Sequence, residues 1–219
     1  MNFKKYLNTF ITTSVPYSNC YKLIQYNDKT FRLINIKYKK NSGYELQQKF
    51  DCLECDTSFE EWKREESLRV SLTRTKSRIR ELALCNNFTY FGTITVNGYF
   101  CNRYELDSCQ HLLKKCLKKI KRNNKDFRYL IITEKHKDNA FHFHGLFSGI
   151  ELSHNSNGYL CNDLLSREIG YNSFSIINDY NKTCNYITKY ITKDCVKNSH
   201  NQIFLRSKRL TSCYGRRNK

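Results

Sequence analysis

The sequence predicts an α+β fold with a ferredoxin-like, RRM-like core, in which helices pack on a central antiparallel sheet. The main observation is the order of predicted segments after residue 88, which runs strand, helix, strand, strand, helix, strand. A second observation is that one proline and eight glycines among 219 residues leave no obvious interdomain linker. A chain of this length can bury a sizeable core as one domain. We therefore expect a main domain over residues 58–219, preceded by an N-terminal extension over residues 1–57.

The elements follow from local patterns. Residues 21–38 alternate around Asn27-Asp28, which predicts a β-hairpin in the extension. Ser58 and Glu61 form a capping-box pattern that opens a long helix running to about Cys85. The remaining predicted elements are a strand over 88–96, a helix over 106–122, strands over 127–134 and 140–148, a short helix over 162–169, a strand over 172–178, a helix over 181–193 and a last strand at Phe204.

Two histidines and an acid form a candidate metal site. In the tract Phe-His-Phe-His-Gly-Leu at 141–146, alternation along a strand places His142 and His144 on the same face. The polar residues after Glu134 are typical of a turn, and a hairpin would return the chain so that Glu134 lies beside His142. Two nitrogens and one carboxylate suit Mn²⁺ or Mg²⁺ better than a closed zinc site. The alternative is a strand whose imidazoles only form hydrogen bonds.

A tyrosine segment supplies candidate nucleophiles. Tyr186 and Tyr190 are spaced i, i+4, as are Lys189 and Lys193, so on a helix each pair shares a face. A free phenol has a pKa near 10, so only about 0.1% is ionised at neutral pH. A metal-bound phosphate and a neighbouring ammonium would both help a phenol to attack phosphorus. The alternative is an amphipathic helix whose tyrosines pack on the sheet.

The strand predicted over 88–96 places Phe91, Thr93 and Thr95 on one side. The two threonines could line the site, and ordinary β-propensity explains them equally well.

Composition favours a nucleic-acid partner. There are 38 Lys and Arg residues against 20 Asp and Glu residues, a formal charge of +18, which attracts a phosphate backbone and predicts binding that weakens steeply with salt. Sixteen tyrosines and fourteen phenylalanines offer stacking partners for unpaired bases, although most belong to the core. A generally basic surface is the alternative, but the lysines cluster, notably at Lys114, Lys115, Lys118, Lys119, Lys121 and Arg122.

Cysteine use and hydropathy predict a cytoplasmic location, in a reducing compartment. Eleven cysteines are an odd number without a regular disulfide framework, and neither a leader nor a membrane span is evident. Cys52 and Cys55 form a Cys-x-x-Cys pattern without a second pair at zinc-ribbon spacing, so free thiols are favoured over a zinc knuckle. The sequence contains no Walker-type pattern, so it gives no indication of a helicase domain.

Three motifs together resemble a known family. The order Phe-Gly-Thr-Ile-Thr at 91–95, His142-Phe143-His144, then Tyr-Ile-Thr-Lys-Tyr at 186–190 resembles the HUH endonucleases, specifically the rolling-circle replication initiators of phages and small plasmids. The resemblance covers roughly residues 71 to 210. In conjugative relaxases the nucleophilic tyrosine precedes the histidines, whereas here it follows them. The Tyr-x-x-Lys pattern occurs twice, so one or two working nucleophiles remain possible.

The resemblance implies an enzyme that nicks and joins single-stranded DNA at a replication origin through a covalent 5′-phosphotyrosine intermediate. Tyr186 and Tyr190 would be the nucleophiles, and Lys189 and Lys193 would orient the phosphate. Glu134, His142 and His144 would bind Mg²⁺ or Mn²⁺, with activity falling as pH drops through roughly 6.5 because metal binding needs neutral imidazoles. The nicking domain would span residues 58–219. A host helicase, a host polymerase and the bacterial cytoplasm are the expected partners and location.

Two other functions fit the same residues. One is a transposase of the HUH class, which keeps the chemistry and changes the biology. The other is a non-catalytic, basic DNA- or RNA-binding module whose histidines and tyrosines are structural. Formation of a covalent adduct with single-stranded DNA separates the last from the other two.

Overall fold

A computed structural model describes residues 20–27, 30–36, 58–191, 204–208 and 210–211. The described residues belong to two compact units. In the first, β1 (Cys20–Gln25) and β2 (Phe31–Ile36) pair as an antiparallel hairpin. The predictions for Lys193 and for the Cys-x-x-Cys pattern at 52–55 lie outside the described residues.

The second unit contains the predicted α+β core. Its described helices are α1 (Phe59–Leu84), α2 (Leu106–Asn123), α3 (Asp163–Glu168), α4 (Tyr180–Tyr186) and a 3₁₀ helix (Ile187–Tyr190). Its described strands are β3 (Tyr90–Thr95), β4 (Arg128–Lys135), β5 (Phe141–Ser148), β6 (Ser153–His154), β7 (Leu160–Cys161), β8 (Asn172–Ile176) and β9 (Phe204–Arg206). None of the helices in the described ranges combines the length and the apolar composition needed to cross a bilayer.

The seven strands described in this unit form one antiparallel sheet in the order β6-β7-β8-β3-β5-β4-β9. The four central strands and the two helices that connect them follow one another along the chain as β3, α2, β4, β5, α3 and β8. The short β6-β7 hairpin is inserted before α3. This connectivity is compatible with a ferredoxin-like core, and the predicted fold class is confirmed. The strands β3 and β5, which carry two of the sequence motifs, are neighbours at the centre of the sheet.

The main hydrophobic core lies between one face of the sheet and the pair α2 and α3. The core side chains include Ile94, Leu113, Leu117, Phe127, Phe143, Phe147, Leu165 and Phe174. The glycine of the Phe-Gly-Thr motif serves this core, because a Cβ at Gly92 would lie 2.5 Å from the ring of Phe174. Most of the α2 lysines are exposed, while the buried side of the helix supplies Leu113 and Leu117. Lys119 is half-buried and pairs with Glu168 of α3.

The other face of the sheet carries the motif residues. There the 3₁₀ helix contacts β4 and β5, and α1 packs against both α4 and the 3₁₀ helix. Helix α1 begins at the predicted capping box, in which Ser58 accepts a hydrogen bond from the Glu61 backbone and Glu61 accepts one from the Ser58 backbone. Ile79 at its C-terminal end is fully buried. These helices hold the tyrosine segment against β4 and β5.

The structure corrects the helix predicted over 181–193. The α-helix ends at Tyr186, the chain tightens into the 3₁₀ turn, and Ile191 is already extended. The Thr188 hydroxyl donates to the Asn185 carbonyl at 2.7 Å, so a side chain competes with the backbone for an acceptor there. Consecutive β-branched residues, Ile187 and Thr188, also disfavour a long α-helix. The tyrosines therefore do not share one face of a regular helix.

Removing one phenol should loosen the attachment of α4. The Tyr180 hydroxyl donates to backbone carbonyl groups at the C-terminal end of α1, including that of Ala83 at 2.7 Å, and accepts from the Phe88 backbone at 3.2 Å. We expect Tyr180→Phe to lower the free energy of unfolding by about 1–3 kcal/mol, because buried backbone groups lose a partner. Urea denaturation measures this, with the exposed Tyr171→Phe as the control. Equal stability of the two variants would contradict the assignment.

The cysteines described in the second unit are free thiols, namely Cys85, Cys101, Cys109, Cys116, Cys161 and Cys184. Burial raises the pKa of Cys116 to about 12 and that of Cys184 to about 12. These two thiols are therefore protonated at neutral pH and pack as small apolar groups rather than acting as nucleophiles.

Candidate metal and nucleophile site

The β4-β5 hairpin brings the predicted acid and histidines together. Glu134 lies directly opposite His142 in the β4-β5 register. On the other side of β5, Thr95 pairs with His142 and Thr93 pairs with His144. Cross-strand partners on the same face lie close together, so one face of three adjacent strands presents these five side chains.

Each imidazole has a fixed hydrogen-bond partner. The His144 Nδ1 atom lies 3.2 Å from the Thr93 hydroxyl oxygen, and the His142 Nδ1 atom lies 3.3 Å from that of Thr95. The His144 Nε2 atom lies 2.7 Å from a Glu134 carboxylate oxygen. A carboxylate only accepts, so with a neutral imidazole the proton sits on Nε2 and the Thr93 hydroxyl donates to Nδ1. The threonines, which β-propensity alone explained equally well, do line the site.

Both histidines are held in the form that binds metals. Burial lowers the pKa of His144, partly opposed by Glu134, and burial also lowers the pKa of His142, with the neighbouring His136 and Arg103 acting in the same direction. A lowered pKa keeps an imidazole neutral to more acidic pH. The pH at which protonation would compete with a metal therefore lies below the ordinary histidine value of roughly 6.5 that was expected from the sequence.

A second ligand group shares one of these histidines. The ligand atoms of His136, Asp138 and His142 all lie within 4.8 Å of one another. Among the described residues, this is the group of histidine and acidic side chains found close enough together to hold a metal ion. The side chains of His136 and Asp138 are about half exposed, and Asp138 already pairs with Arg103 at 2.7 Å. His142 is therefore shared by two candidate sets. The outer set, with His136 and Asp138, meets this distance criterion, whereas the inner set, with Glu134 and His144, is not among the groups that meet it in the described residues. In the inner set the His144 Nε2 atom and the Glu134 carboxylate are in direct contact.

The residues of the outer set, His136 and Asp138, were not predicted from the sequence as ligands. The tract after Glu134 was predicted only as a polar turn. Both residues do lie in that turn, where the His136 backbone nitrogen donates to the Ala140 carbonyl. The signal that could have found them was their His-x-Asp spacing. Arg103 comes from the segment before α2, and its backbone carbonyl accepts from the Phe141 backbone at 2.9 Å. Nothing in the local sequence around Arg103 indicates that contact.

The two tyrosines reach this face from the 3₁₀ turn. The Tyr190 ring stacks on the His144 imidazole, with ring centroids 3.8 Å apart and planes 9° apart. Its hydroxyl donates to the Tyr186 hydroxyl at 2.9 Å, and the two rings are perpendicular. The ring of Phe91, on β3, lies 6.2 Å from the His144 ring and 5.8 Å from the Tyr186 ring. The phenols, the imidazole and the carboxylate thus form one continuous contact chain.

The two phenols have different surroundings. Burial raises the pKa of Tyr190, and the neighbouring Tyr186 and Glu134 raise it further. Tyr186 is 43% exposed, and the Lys189 ammonium lies 5.0 Å from the centre of its ring. Tyr190 is therefore harder to ionise than a free phenol, while Tyr186 is open to solvent with a cation beside it.

Replacing a threonine that contacts an imidazole should lower the affinity of the site for a cation. Thr93 can donate to His144 Nδ1 or accept from it, which lets the imidazole present a lone pair at Nε2. We expect Thr93→Val to reduce Mn²⁺ affinity by about 10- to 100-fold, as is usual for partners of metal ligands. Thr93→Ser keeps the hydroxyl and should retain most of the affinity. Isothermal titration calorimetry measures both variants, and equal losses would contradict a role for the hydroxyl.

The fold and this site together define an α+β sheet protein with a paired-histidine strand facing paired tyrosines. Residues 89–195 match a family of replication-associated proteins. The matched segment begins just before β3 and so contains Thr93, the histidines, Glu134 and both tyrosines. This similarity supports the role of a Rep-type replication initiator. Comparison with curated proteins and with solved structures found no significant match.

Proposed function

We propose that this chain initiates rolling-circle DNA replication by nicking and rejoining single-stranded DNA through a phosphotyrosine intermediate. The observation that carries the proposal is the contact chain from Glu134 through His144 and Tyr190 to Tyr186 on one face of the sheet. The family match supports replication over transposition. The formal charge of +18 suits a polyanionic substrate.

The donor set fits a divalent cation. Two neutral imidazoles and one carboxylate are ligands that Mn²⁺ and Mg²⁺ accept, and each imidazole is oriented by a threonine. Glu134, His142 and His144 would hold the ion, and the ring proton of His144 would move from Nε2 to Nδ1, where the Thr93 hydroxyl can accept it as a hydrogen bond. A bound cation would supply Lewis-acid polarisation of a phosphate oxygen.

Three residues of the protein have distinct roles in nicking. The Tyr186 hydroxyl oxygen attacks phosphorus, forming the new phosphorus–oxygen bond while the bond to the DNA 3′ oxygen breaks. The phenol proton leaves to solvent, to which Tyr186 is open, and the departing 3′ oxygen takes up a proton from solvent. The Lys189 ammonium stabilises the negative charge that develops beside the ring. Tyr190 donates a hydrogen bond to the attacking oxygen and is the second acceptor when the strand is rejoined.

A covalent adduct tests this function. The full chain is incubated with single-stranded DNA from its own replicon and Mn²⁺, then run on a denaturing gel. We expect a DNA-linked protein band that disappears in the Tyr186→Phe plus Tyr190→Phe double variant and persists in Tyr159→Phe, an exposed tyrosine at the β6-β7 hairpin. Binding without an adduct on any origin-containing strand would favour the non-catalytic module.

A further inference from the structure

An open groove lies beside the proposed nucleophile, and most of its lining residues have no role in the chemistry described above. It has a volume of about 500 Å³ and runs between the end of β8 and helix α4. This volume lies in the range of small-ligand sites. The lining residues that matter are Phe91, Ile176, Lys182, Asn185, Tyr186 and Lys189.

The groove combines apolar surface with positive charge. Ile176 is 60% exposed although it lies on a strand, and the neighbouring rings of Phe91 and Tyr186 meet edge to face. Two ammonium groups line the same groove. Lys182 pairs with Asp179 at 3.2 Å in an exposed contact of the kind that contributes little stability, so its ammonium can reach an incoming phosphate at small cost. Apolar and aromatic surface beside lysines is the combination that unpaired nucleotides bind.

Asn185 gives the groove a hydrogen-bonding preference. The Arg80 guanidinium Nε donates to the Asn185 side-chain oxygen at 2.5 Å. This contact fixes the orientation of the amide and weakens its oxygen as an acceptor for another donor. The amide nitrogen is left to donate. Asparagine normally reads adenine with both atoms, accepting from N6 and donating to N7. With its oxygen already accepting from Arg80, Asn185 is a weaker acceptor for the adenine N6 amine, whereas O4 of thymine and O6 of guanine, which take the place of that amine, accept from the amide nitrogen.

We propose that this groove binds the nucleotide adjoining the scissile phosphate, and that Asn185 selects a base carrying a carbonyl oxygen over adenine. The base packs on Phe91 and Ile176 while Lys182 pairs with the flanking phosphate. The position of the scissile phosphate at Tyr186 rests on the proposed function; the nucleotide site itself rests on the groove.

Binding without chemistry tests the base preference. Fluorescence anisotropy of the full chain in EDTA compares one labelled oligonucleotide of fixed sequence with versions in which single thymidines are replaced by deoxyadenosine. We expect one position at which adenine weakens binding about tenfold. The discrimination should disappear in Asn185→Ala and shrink in Arg80→Gln, which frees the amide oxygen. Asn157→Ala, in the exposed turn between β6 and β7, is the matched control.

A photochemical experiment locates the base. 5-Iododeoxyuridine is placed at the discriminating position, irradiated in the complex, and the cross-linked peptide is identified by mass spectrometry. A cross-link to Phe91 or Tyr186 supports the groove. A cross-link confined to other elements, or discrimination that survives Asn185→Ala, overturns the groove even if Mn²⁺ produces an adduct. Discrimination and a groove cross-link without any adduct support the nucleotide site and count against the nicking function instead.

Discussion

Replacing Tyr186 with phenylalanine is expected to lower the rate of covalent adduct formation by at least about a thousandfold, because the variant lacks the attacking oxygen. Tyr186 is the more exposed phenol, has the Lys189 ammonium beside its ring and accepts a hydrogen bond from Tyr190. Tyr190→Phe removes only that hydrogen-bond donor in the first step. We expect the single variant to form the first adduct within about tenfold of the wild-type rate.

Single-turnover nicking of end-labelled DNA, followed on denaturing gels, measures these rates. A strand-transfer assay with a pre-formed adduct then tests the second step, in which Tyr190→Phe should fail to pass the strand to a second phenol. Circular dichroism checks that both variants are folded. If Tyr190→Phe loses the first adduct while Tyr186→Phe keeps it, the order of the two tyrosines is reversed.

Replacing His142 with alanine is expected to reduce Mn²⁺ affinity by at least about a hundredfold, because partners of metal ligands alone account for about 10- to 100-fold. His142 belongs to both ligand sets, so its loss does not distinguish them. The inner set is favoured because Glu134 and His144 are less exposed than His136 and Asp138. In the outer set, a cation would have to displace the Arg103 guanidinium from Asp138.

The two sets are separated by pairs of matched variants. Electron paramagnetic resonance of free Mn²⁺ gives the affinity of each variant without requiring catalysis. His144→Ala and Glu134→Gln should approach the loss seen in His142→Ala, whereas His136→Ala and Asp138→Asn should change the affinity by less than about threefold, because exposed groups already solvated or paired contribute little. The opposite pattern would assign the cation to the outer set.

Much of the candidate site was predictable from sequence because it depends on strand periodicity. Alternation alone places His142 and His144 on one face, and a polar turn of the right length predicts that Glu134 returns beside His142. The register of β4 and β5 agrees with both expectations. The same periodicity placed Phe91, Thr93 and Thr95 on one side of β3, and both threonines contact imidazoles.

Contacts between distant segments were not predictable in this way. Arg80 and Asn185 are 105 residues apart, and their hydrogen bond depends on how α1 packs against α4. The end of the tyrosine helix was misjudged because i, i+4 spacing describes an α-helix and does not reveal where the backbone tightens. The pairing of Asp138 with Arg103 likewise depends on the path of the chain before α2.

The change of helix type at Ile187 has a geometric consequence for the two phenols. In a continuous α-helix, residues four apart differ by roughly 40° around the axis, whereas at 3₁₀ pitch they differ by roughly 120°. The tighter pitch swings Tyr190 towards the His144 imidazole and leaves Tyr186 directed to the groove. A single change of backbone pitch thus places two chemically identical side chains in different environments. Inserting one residue between Tyr186 and Tyr190 should therefore remove either the contact with His144 or the position beside the groove.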